Sequence, residues 1–175
     1  MAIEERLEFK NDIVDVGCGE GKYITRFSKF MKGKKYFAID VDDEVRADAE
    51  RRVKNKGLKD VKFYKSTLDF WSSDDYEKNQ TDRLDVICTE VIEHMPVEDA
   101  KMMMSDILSL PIDTLIVTTP DVRFNVNYFM DGMRHDDHDW EPTRKEFEDF
   151  MEDCFKEVSR EYTMEWFPIG DVVDG

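Results

Sequence analysis

The chain has 175 residues, 41% of them hydrophobic, which is enough for one domain with a buried core. Its formal net charge of −16, taken by itself, argues against a polyanionic partner. The charge is uneven: residues 22–65 hold 14 Lys and Arg against 7 Asp and Glu, whereas residues 136–175 hold 4 against 14. The basic stretch is compatible with solvated helix faces or with contact to phosphate, and the pattern alone does not choose between them.

Membrane and secretion signals are absent from the sequence. There is no run of about 18 apolar residues, and the charged start MAIEERLEFK lacks the apolar core of a signal peptide. Cys18, Cys88 and Cys154 lie far apart without CxxC spacing, so we expect free thiols in a reducing compartment. These features predict a cytoplasmic protein without a membrane segment.

Apolar runs and turn residues predict strands and helices that alternate along the chain. The predicted strands cover residues 11–16, 35–41, 61–64, 84–89, 114–119 and 158–167. The predicted helices cover residues 22–31, 43–55 and 97–110, and a further helix begins at the Thr143–Glu146 capping box. This order predicts one α/β domain over residues 1–175, with a Rossmann-like, mostly parallel central sheet and helices on both faces.

A glycine-rich turn, DVGCGEG, connects the first predicted strand to a helix. Gly17 and Gly19 would let the backbone approach a ligand closely, and Asp40 ends the next strand, where an acid accepts hydrogen bonds from ribose hydroxyls. Asp15 interrupts an apolar run, so we expect it to serve a ligand or to orient the turn. The pattern resembles the S-adenosylmethionine loop of class I methyltransferases. A plain tight turn and a nicotinamide site are the alternatives, although the G-x-G-x-G spacing departs from the dinucleotide motif.

Three more residues complete the predicted cofactor site. Ser66 and Leu68 follow the third strand, where such folds hold the adenine, and Thr89 ends the fourth strand.

Ligand-type side chains follow two predicted strands. Glu90, Glu93 and His94 come after the fourth strand at helical i, i+3 and i+4 spacing, and a divalent cation would remove the repulsion of the two carboxylates. A later loop of about twenty residues carries His135 and His138, and long loops in compact domains are usually functional or disordered. Strands four and five are expected neighbours, so the loops that follow them should share a pocket. The alternatives are a helix start beside a packed histidine and a solvated acidic loop.

Six ordered segments resemble the small-RNA 3′-terminal ribose 2′-O-methyltransferases of the Hua-enhancer type. They are DVGCGEGKY, AIDVD, EVIEHM, TTPDVRFN, RHDDHDWEPTR and the following EF, and they span roughly residues 11–150. The resemblance implies that S-adenosylmethionine is held by Gly17, Gly19 and Asp40. It also implies that Mn²⁺ or Mg²⁺ is bound by Glu90, Glu93, His94 and His138, and that Arg144 contacts the substrate end.

The resemblance implies a metal-dependent methyl transfer to the 2′-hydroxyl of the 3′-terminal ribose of a small RNA. A neutral histidine, His94 or His135, would take the proton. The final antiparallel strand of the family has no counterpart before Gly175, so we expect six strands, an open edge, or a strand from a protein partner or homodimer. Two alternatives remain: a methyltransferase of a small diol metabolite, and a non-catalytic cofactor-binding subunit of an RNA-processing complex.

Overall fold

A single parallel sheet organises the molecule. The computed structural model of the chain describes residues 2–79, 83–129, 131–156 and 158–168. Five strands are hydrogen-bonded in the spatial order β3-β2-β1-β4-β5: β1 Asp12–Val16, β2 Tyr36–Ile39, β3 Val61–Tyr64, β4 Leu84–Thr89 and β5 Ile112–Thr118. The chain progresses outward from β1 to β3 and then restarts on the other side of β1 with β4. Such a switch point opens a crevice at the carboxyl ends of the strands.

Helices connect the strands. They are α1 Ala2–Arg6, α2 Lys22–Phe27, α3 Asp43–Asn55, α4 Thr67–Trp71, α5 Asp74–Asn79, α6 Val97–Leu108 and α7 Arg144–Phe155. The predicted capping box is confirmed, since Thr143 N donates to Glu146 Oε2 at 2.8 Å and Glu146 N donates back to Thr143 Oγ1. No helix in the described part of the chain is long and apolar enough to cross a membrane.

Two apolar clusters, one on each face of the sheet, form the core. Because alternate strand residues point to opposite faces, β1 contributes Val14 to one cluster and Ile13 to the other. Met104 of α6 joins the first cluster, and Phe27 of α2 joins the second. The predicted Rossmann-like sheet with helices on both faces is thus confirmed. The cysteines are free, as predicted, and Cys18 and Cys88 are buried.

The predicted sixth strand, residues 158–167, is wrong. The segment 158–168 is extended but forms no sheet pairing. Its alternating apolar residues, Met164 and Trp166, pack on the first core cluster, and Arg160 donates to Leu110 O at 2.8 Å. The alternation reflects packing of every second side chain on the core, and the backbone of the segment is not hydrogen-bonded to a neighbouring strand. Among the described residues no strand pairs with the outer edge of β5, so a strand from a protein partner or homodimer stays a prediction.

Candidate metal and cofactor site

Glu93, His94 and His138 bring ligand-type atoms together just beyond the carboxyl end of β4. One such atom from each of the three residues lies within 4.8 Å of the others. Glu93 is fully buried, and its Oε1 has no hydrogen-bond partner. A buried carboxylate oxygen without a partner is costly, whereas a bound cation would satisfy it. The donor set of this trio therefore fits a divalent metal ion.

A short 3₁₀ turn, Ile92–His94, carries two members of the trio. The turn ends at Met95, which is extended (φ −147°, ψ 156°), as expected for a residue before proline. The side chain of Ile92 is buried in the core and anchors the turn. The predicted α-helical face is wrong, because Glu90 has a left-handed backbone (φ 56°) and the 3₁₀ turn begins only two residues later.

Glu90 lies outside the trio. Its side chain is exposed to solvent, and its Oε1 accepts a hydrogen bond from Thr118 Oγ1 at 2.8 Å. Burial raises the pKa of Glu93 to about 7, and the nearby charge of Glu90 adds to the rise. Thr119 Oγ1 donates to Glu93 Oε2 at 3.1 Å. The two threonines that follow each other at the end of β5 thus orient the two acids, a role that sequence reasoning missed.

Hydrogen bonds from the later loop hold it on this turn. Asp139 N donates to Glu93 O at 2.7 Å, and Trp140 Nε1 donates to Ile92 O at 2.8 Å. His94 Nδ1 lies 3.3 Å from the carbonyl oxygen of Asp137. The predicted convergence of the loops that follow β4 and β5 is confirmed.

Glu141 orients His138, and sequence reasoning missed this residue as well. Both side chains are buried, and His138 Nδ1 lies 2.5 Å from Glu141 Oε1. Glu141 also accepts hydrogen bonds from Arg134 N at 2.5 Å and from the side chain of Asn125. Burial acts to raise the pKa of Glu141, but hydrogen bonds from its three partners outweigh it and hold the pKa below its usual value. A carboxylate on Nδ1 leaves Nε2 free for a metal ion.

His135 and Arg144 are not members of the trio. His135 is exposed, and its ring centroid lies 5.2 Å from that of His138. Arg144 begins α7, where its Nε donates to Glu148 Oε1 at 2.7 Å, and it lines the same cavity as Glu90. The catalytic roles assigned to His94, His135 and Arg144 stay predictions.

The glycine turn lies against Val91, the residue that precedes the 3₁₀ turn Ile92–His94. Gly17 has φ 73°, and a Cβ added to it would lie 2.2 Å from Cγ2 of Val91. Gly19 has φ 52°, and a Cβ there would meet nothing within 4 Å, so its surroundings are open. Gly19 N donates to Asp40 Oδ2 at 2.8 Å, which fixes the turn against the end of β2. This open backbone cradle beside the trio fits the predicted cofactor loop.

Asp15, which lies just before the glycine turn, also has a buried carboxylate oxygen without a hydrogen-bond partner. The residue is fully buried, the hydroxyl of Tyr36 donates to its Oδ2 at 2.6 Å, and its Oδ1 has no partner. Burial raises the pKa of Asp15 to about 7. An unpaired carboxylate oxygen beside a glycine turn fits a ligand that offers N–H groups or positive charge.

The remaining predicted cofactor residues also lie at the carboxyl edge of the sheet. Ser66 caps α4 by accepting from Asp69 N at 3.1 Å, so its hydroxyl has a structural use. Leu68 is 65% exposed and offers an apolar surface. Thr89 is buried at the end of β4 and is hydrogen-bonded to Tyr23. Their contacts with a cofactor stay predictions.

The sheet order and the glycine turn at its switch point define a Rossmann-like methyltransferase fold. The methyltransferase domain family matches residues 13–110, more than half of the chain, and the chain belongs to this family.

Two solved structures share the fold and are more than 25% identical in sequence to this chain. A chain of the Pnkp1/Rnl/Hen1 RNA repair complex superimposes with a TM-score of 0.72 and 30% identity, covering 91% of this chain and 34% of that one. The methyltransferase domain of the bacterial CtHen1-CN gives a TM-score of 0.70 and 27% identity, covering 94% and 83%.

Two sequence relatives match shorter stretches. The small RNA 2′-O-methyltransferase of Xenopus tropicalis is 32% identical over 89 residues, which cover 49% of this chain and 23% of the relative. The tRNA (guanine-N(7)-)-methyltransferase of Clostridium acetobutylicum is 38% identical over 61 residues, which cover 33% and 29%. The matched stretches thus span less than a third of either relative.

Proposed function

We propose that this domain transfers a methyl group from S-adenosylmethionine to the 2′-hydroxyl of the 3′-terminal ribose of an RNA, with the help of a divalent cation. One observation carries the proposal: Glu93, His94 and His138 converge around an unpaired buried oxygen, and Val91 joins their turn to the glycine turn. Membership of the methyltransferase domain family supports the methyl donor. Similarity to Hen1 domains and to a small RNA 2′-O-methyltransferase supports the acceptor.

The trio would hold the cation, with Glu90 as a further oxygen ligand. When bound there, a divalent ion supplies Lewis acidity that lowers the pKa of a hydroxyl group. Carboxylate and imidazole donors suit Mn²⁺, and they suit Mg²⁺ when water completes the shell. Thr119 and Glu141 are positioning residues, because they hold the Glu93 carboxylate and the His138 ring.

In the proposed reaction, the ribose 2′ oxygen forms a bond to the methyl carbon as the carbon–sulfur bond breaks. The electron pair of the broken bond stays on sulfur, so S-adenosylhomocysteine leaves. The hydroxyl proton passes to a neutral imidazole. We assign that role to His135, which is exposed and lies outside the trio, rather than to His94, which belongs to it. Holding the two reactants in line contributes a large part of the rate.

Selection of a 3′ end follows from the same donor set. A terminal ribose has two free neighbouring hydroxyls, whereas an internal ribose has its 3′ oxygen esterified. Carboxylates and imidazoles from the protein would hold the cation, and the two adjacent ribose oxygens would supply further oxygen ligands.

A methyl-transfer assay tests the proposal. Short single-stranded RNAs that end in a 2′,3′-diol, a 3′-phosphate or a 2′-deoxyribose are incubated with labelled S-adenosylmethionine and Mn²⁺, Mg²⁺ or a chelator. Label should appear only on the 2′ oxygen of the diol-ended RNA, and the chelator should abolish it.

Other outcomes would assign a different activity. Label on a guanine base would indicate the chemistry named for the Clostridium relative. Label on catechol but not on RNA would indicate a small diol substrate. Cofactor binding without turnover on any acceptor would indicate a non-catalytic subunit.

A further inference from the structure

Exposed apolar side chains follow one another in the loop between β5 and α7, the loop that also carries His138. They lie on the 3₁₀ segment Val122–Tyr128 and on the residue that follows it. Val126 is 67% exposed, Tyr128 is 60% exposed, and Phe129 is fully exposed. Phe129 also has a left-handed backbone (φ 59°), which is uncommon for a bulky residue. Adjacent exposed aromatic rings on a small domain mark a surface that contacts something.

Arg134 lies over one of these rings. Its guanidinium carbon is 4.8 Å from the centre of the Tyr128 ring, and its Nε donates to Asn125 Oδ1 at 3.3 Å. Within the described residues no carboxylate pairs with this guanidinium. Nearby Arg123 and Arg144, by contrast, are each paired with an acid, Asp121 and Glu148 respectively. Arg134 therefore keeps its positive charge available for an anion in a chain of net charge −16.

The Tyr128–Arg134 pair is connected to the trio. Arg134 N donates to Glu141 Oε1 at 2.5 Å, and the same oxygen lies 2.5 Å from His138 Nδ1. One cavity of about 1820 Å³ is lined by Tyr128, Arg134 and Glu90 together. An RNA strand that lies in this cavity would contact the pair and Glu90, which we propose as a further ligand of the cation.

We propose that Tyr128 with Arg134 upon it, and Phe129 beside it, is a stacking platform for the unpaired bases at the 3′ end of the RNA. The inference rests on the proposed function and adds how the substrate is recognised. Aromatic rings and arginine planes stack on any base, and the arginine charge complements the adjoining phosphate. Recognition of this kind tolerates different sequences and requires a single-stranded end.

Fluorescence of 2-aminopurine tests the platform without relying on turnover. The probe is placed as the last base of a short single-stranded RNA, where stacking quenches its emission. Binding to the unmodified protein should quench the emission. Tyr128→Leu and Phe129→Leu should restore it and weaken binding by about 5- to 150-fold, since stacking contributes about 1–3 kcal/mol per base. In the transfer assay, the KM for RNA should rise more than kcat falls.

Two controls keep the test specific. Phe30→Leu removes another partly exposed ring with a cation above it, Lys29 at 4.6 Å, and should leave quenching unchanged. RNA with an abasic last nucleotide should bind equally well to the unmodified protein and to Tyr128→Leu, because there is no base to stack.

The outcomes separate this inference from the proposed function. Quenching without methyl transfer would sustain the platform and overturn the proposed reaction. Methyl transfer with the same quenching and KM in Tyr128→Leu would overturn the platform alone. Absence of RNA binding by the unmodified protein would overturn both. If Tyr128→Leu instead changes a dimer to a monomer in sedimentation and leaves quenching intact, the patch contacts a second copy and the platform is rejected.

Discussion

Asp40, the acid after β2 that holds the glycine turn, has its carboxylate oxygens paired within the protein, whereas Glu93, in the turn after β4, has a buried oxygen without a partner. Asp40 accepts hydrogen bonds from Gly19 N at 2.8 Å and from Asp42 N at 3.0 Å. Glu93 depends on His138, far along the chain, to complete a donor set. The comparison shows that hydrogen bonds within the protein hold the glycine turn, whereas the trio contains a buried oxygen that the proposed cation would satisfy.

Glu93→Gln removes the carboxylate of the trio, and we expect it to reduce methyl transfer more than any other change. The amide keeps the shape but removes the anionic ligand, so methyl transfer should fall on the order of 1000-fold. S-adenosylmethionine binding, measured by calorimetry, should be retained because the glycine turn is unchanged. Glu98→Gln, the same exchange at an exposed position of α6, should behave like the unmodified protein. Unchanged Mn²⁺ affinity in Glu93→Gln would exclude this carboxylate as a ligand.

Asp15→Asn tests whether the buried Asp15 carboxyl group makes the stability of the protein depend on pH. The pKa of Asp15 is about 7 in the folded protein against 3.8 as its ordinary value, because burial disfavours the charged form. Its contribution to stability is therefore fully favourable below about pH 4 and is lost as the pH rises toward 7, a change of up to about 4 kcal/mol. The asparagine variant lacks this loss.

Urea unfolding of both proteins at several pH values measures the effect. The free energy of unfolding of Asp15→Asn, minus that of the unmodified protein, should increase from pH 4 to pH 7. Because the other acids titrate in both proteins, their contributions cancel in this difference. A difference that does not vary with pH would mean that Asp15 is charged in the folded protein.

Alanine at Gly17 or at Gly19 distinguishes a glycine that is needed for packing from one that is needed for cofactor binding. Gly17→Ala places a Cβ against Val91 at a positive φ, so we expect a loss of about 2–3 kcal/mol in unfolding free energy. Gly19→Ala has the positive φ but open space, so about 1 kcal/mol should be lost. Cofactor affinity should nevertheless fall in Gly19→Ala.

A double variant provides the control for the glycine comparison. Val91→Ala removes the Cγ2 atom nearest to the added Cβ, so it should recover part of the stability lost in Gly17→Ala. Denaturant unfolding of the four proteins in the cycle measures the coupling. Strict additivity would show that the clash is relieved by backbone movement instead.

Local patterns predicted the elements that position the site. β3, β4 and α3 have the predicted bounds, because apolar runs and the flanking turn residues determine them. The grouping of Glu93, His94 and His138 followed from a motif and from the expected neighbourhood of β4 and β5. Here sequence and fold agree, since parallel strand ends meet at one edge of the sheet.

Long-range pairings and unusual backbone were beyond sequence reasoning. Glu90 adopts a left-handed backbone that few non-glycine residues take, so helical spacing misplaced it. Asn125 meets Glu141 only because the intervening loop folds back, although the spacing of Glu141 three residues after His138 was a usable signal. Residues 158–167 alternate like a strand, yet periodicity reports burial and not pairing.

Glu141→Gln should have the smallest effect, because it keeps all three residues of the trio and changes only the side chain that orients His138. The carboxylate on His138 Nδ1 fixes the orientation of the ring, and its loss should weaken Mn²⁺ binding about 10- to 100-fold. Saturating Mn²⁺ should then restore most of kcat, which distinguishes a positioning residue from a ligand. Asp149→Asn, which removes an exposed ion pair with Lys145 on α7, serves as the control. If Glu141→Gln lowers kcat at every Mn²⁺ concentration while the affinity for Mn²⁺ is unchanged, the carboxylate acts on the reaction itself and His138 is held by its packing.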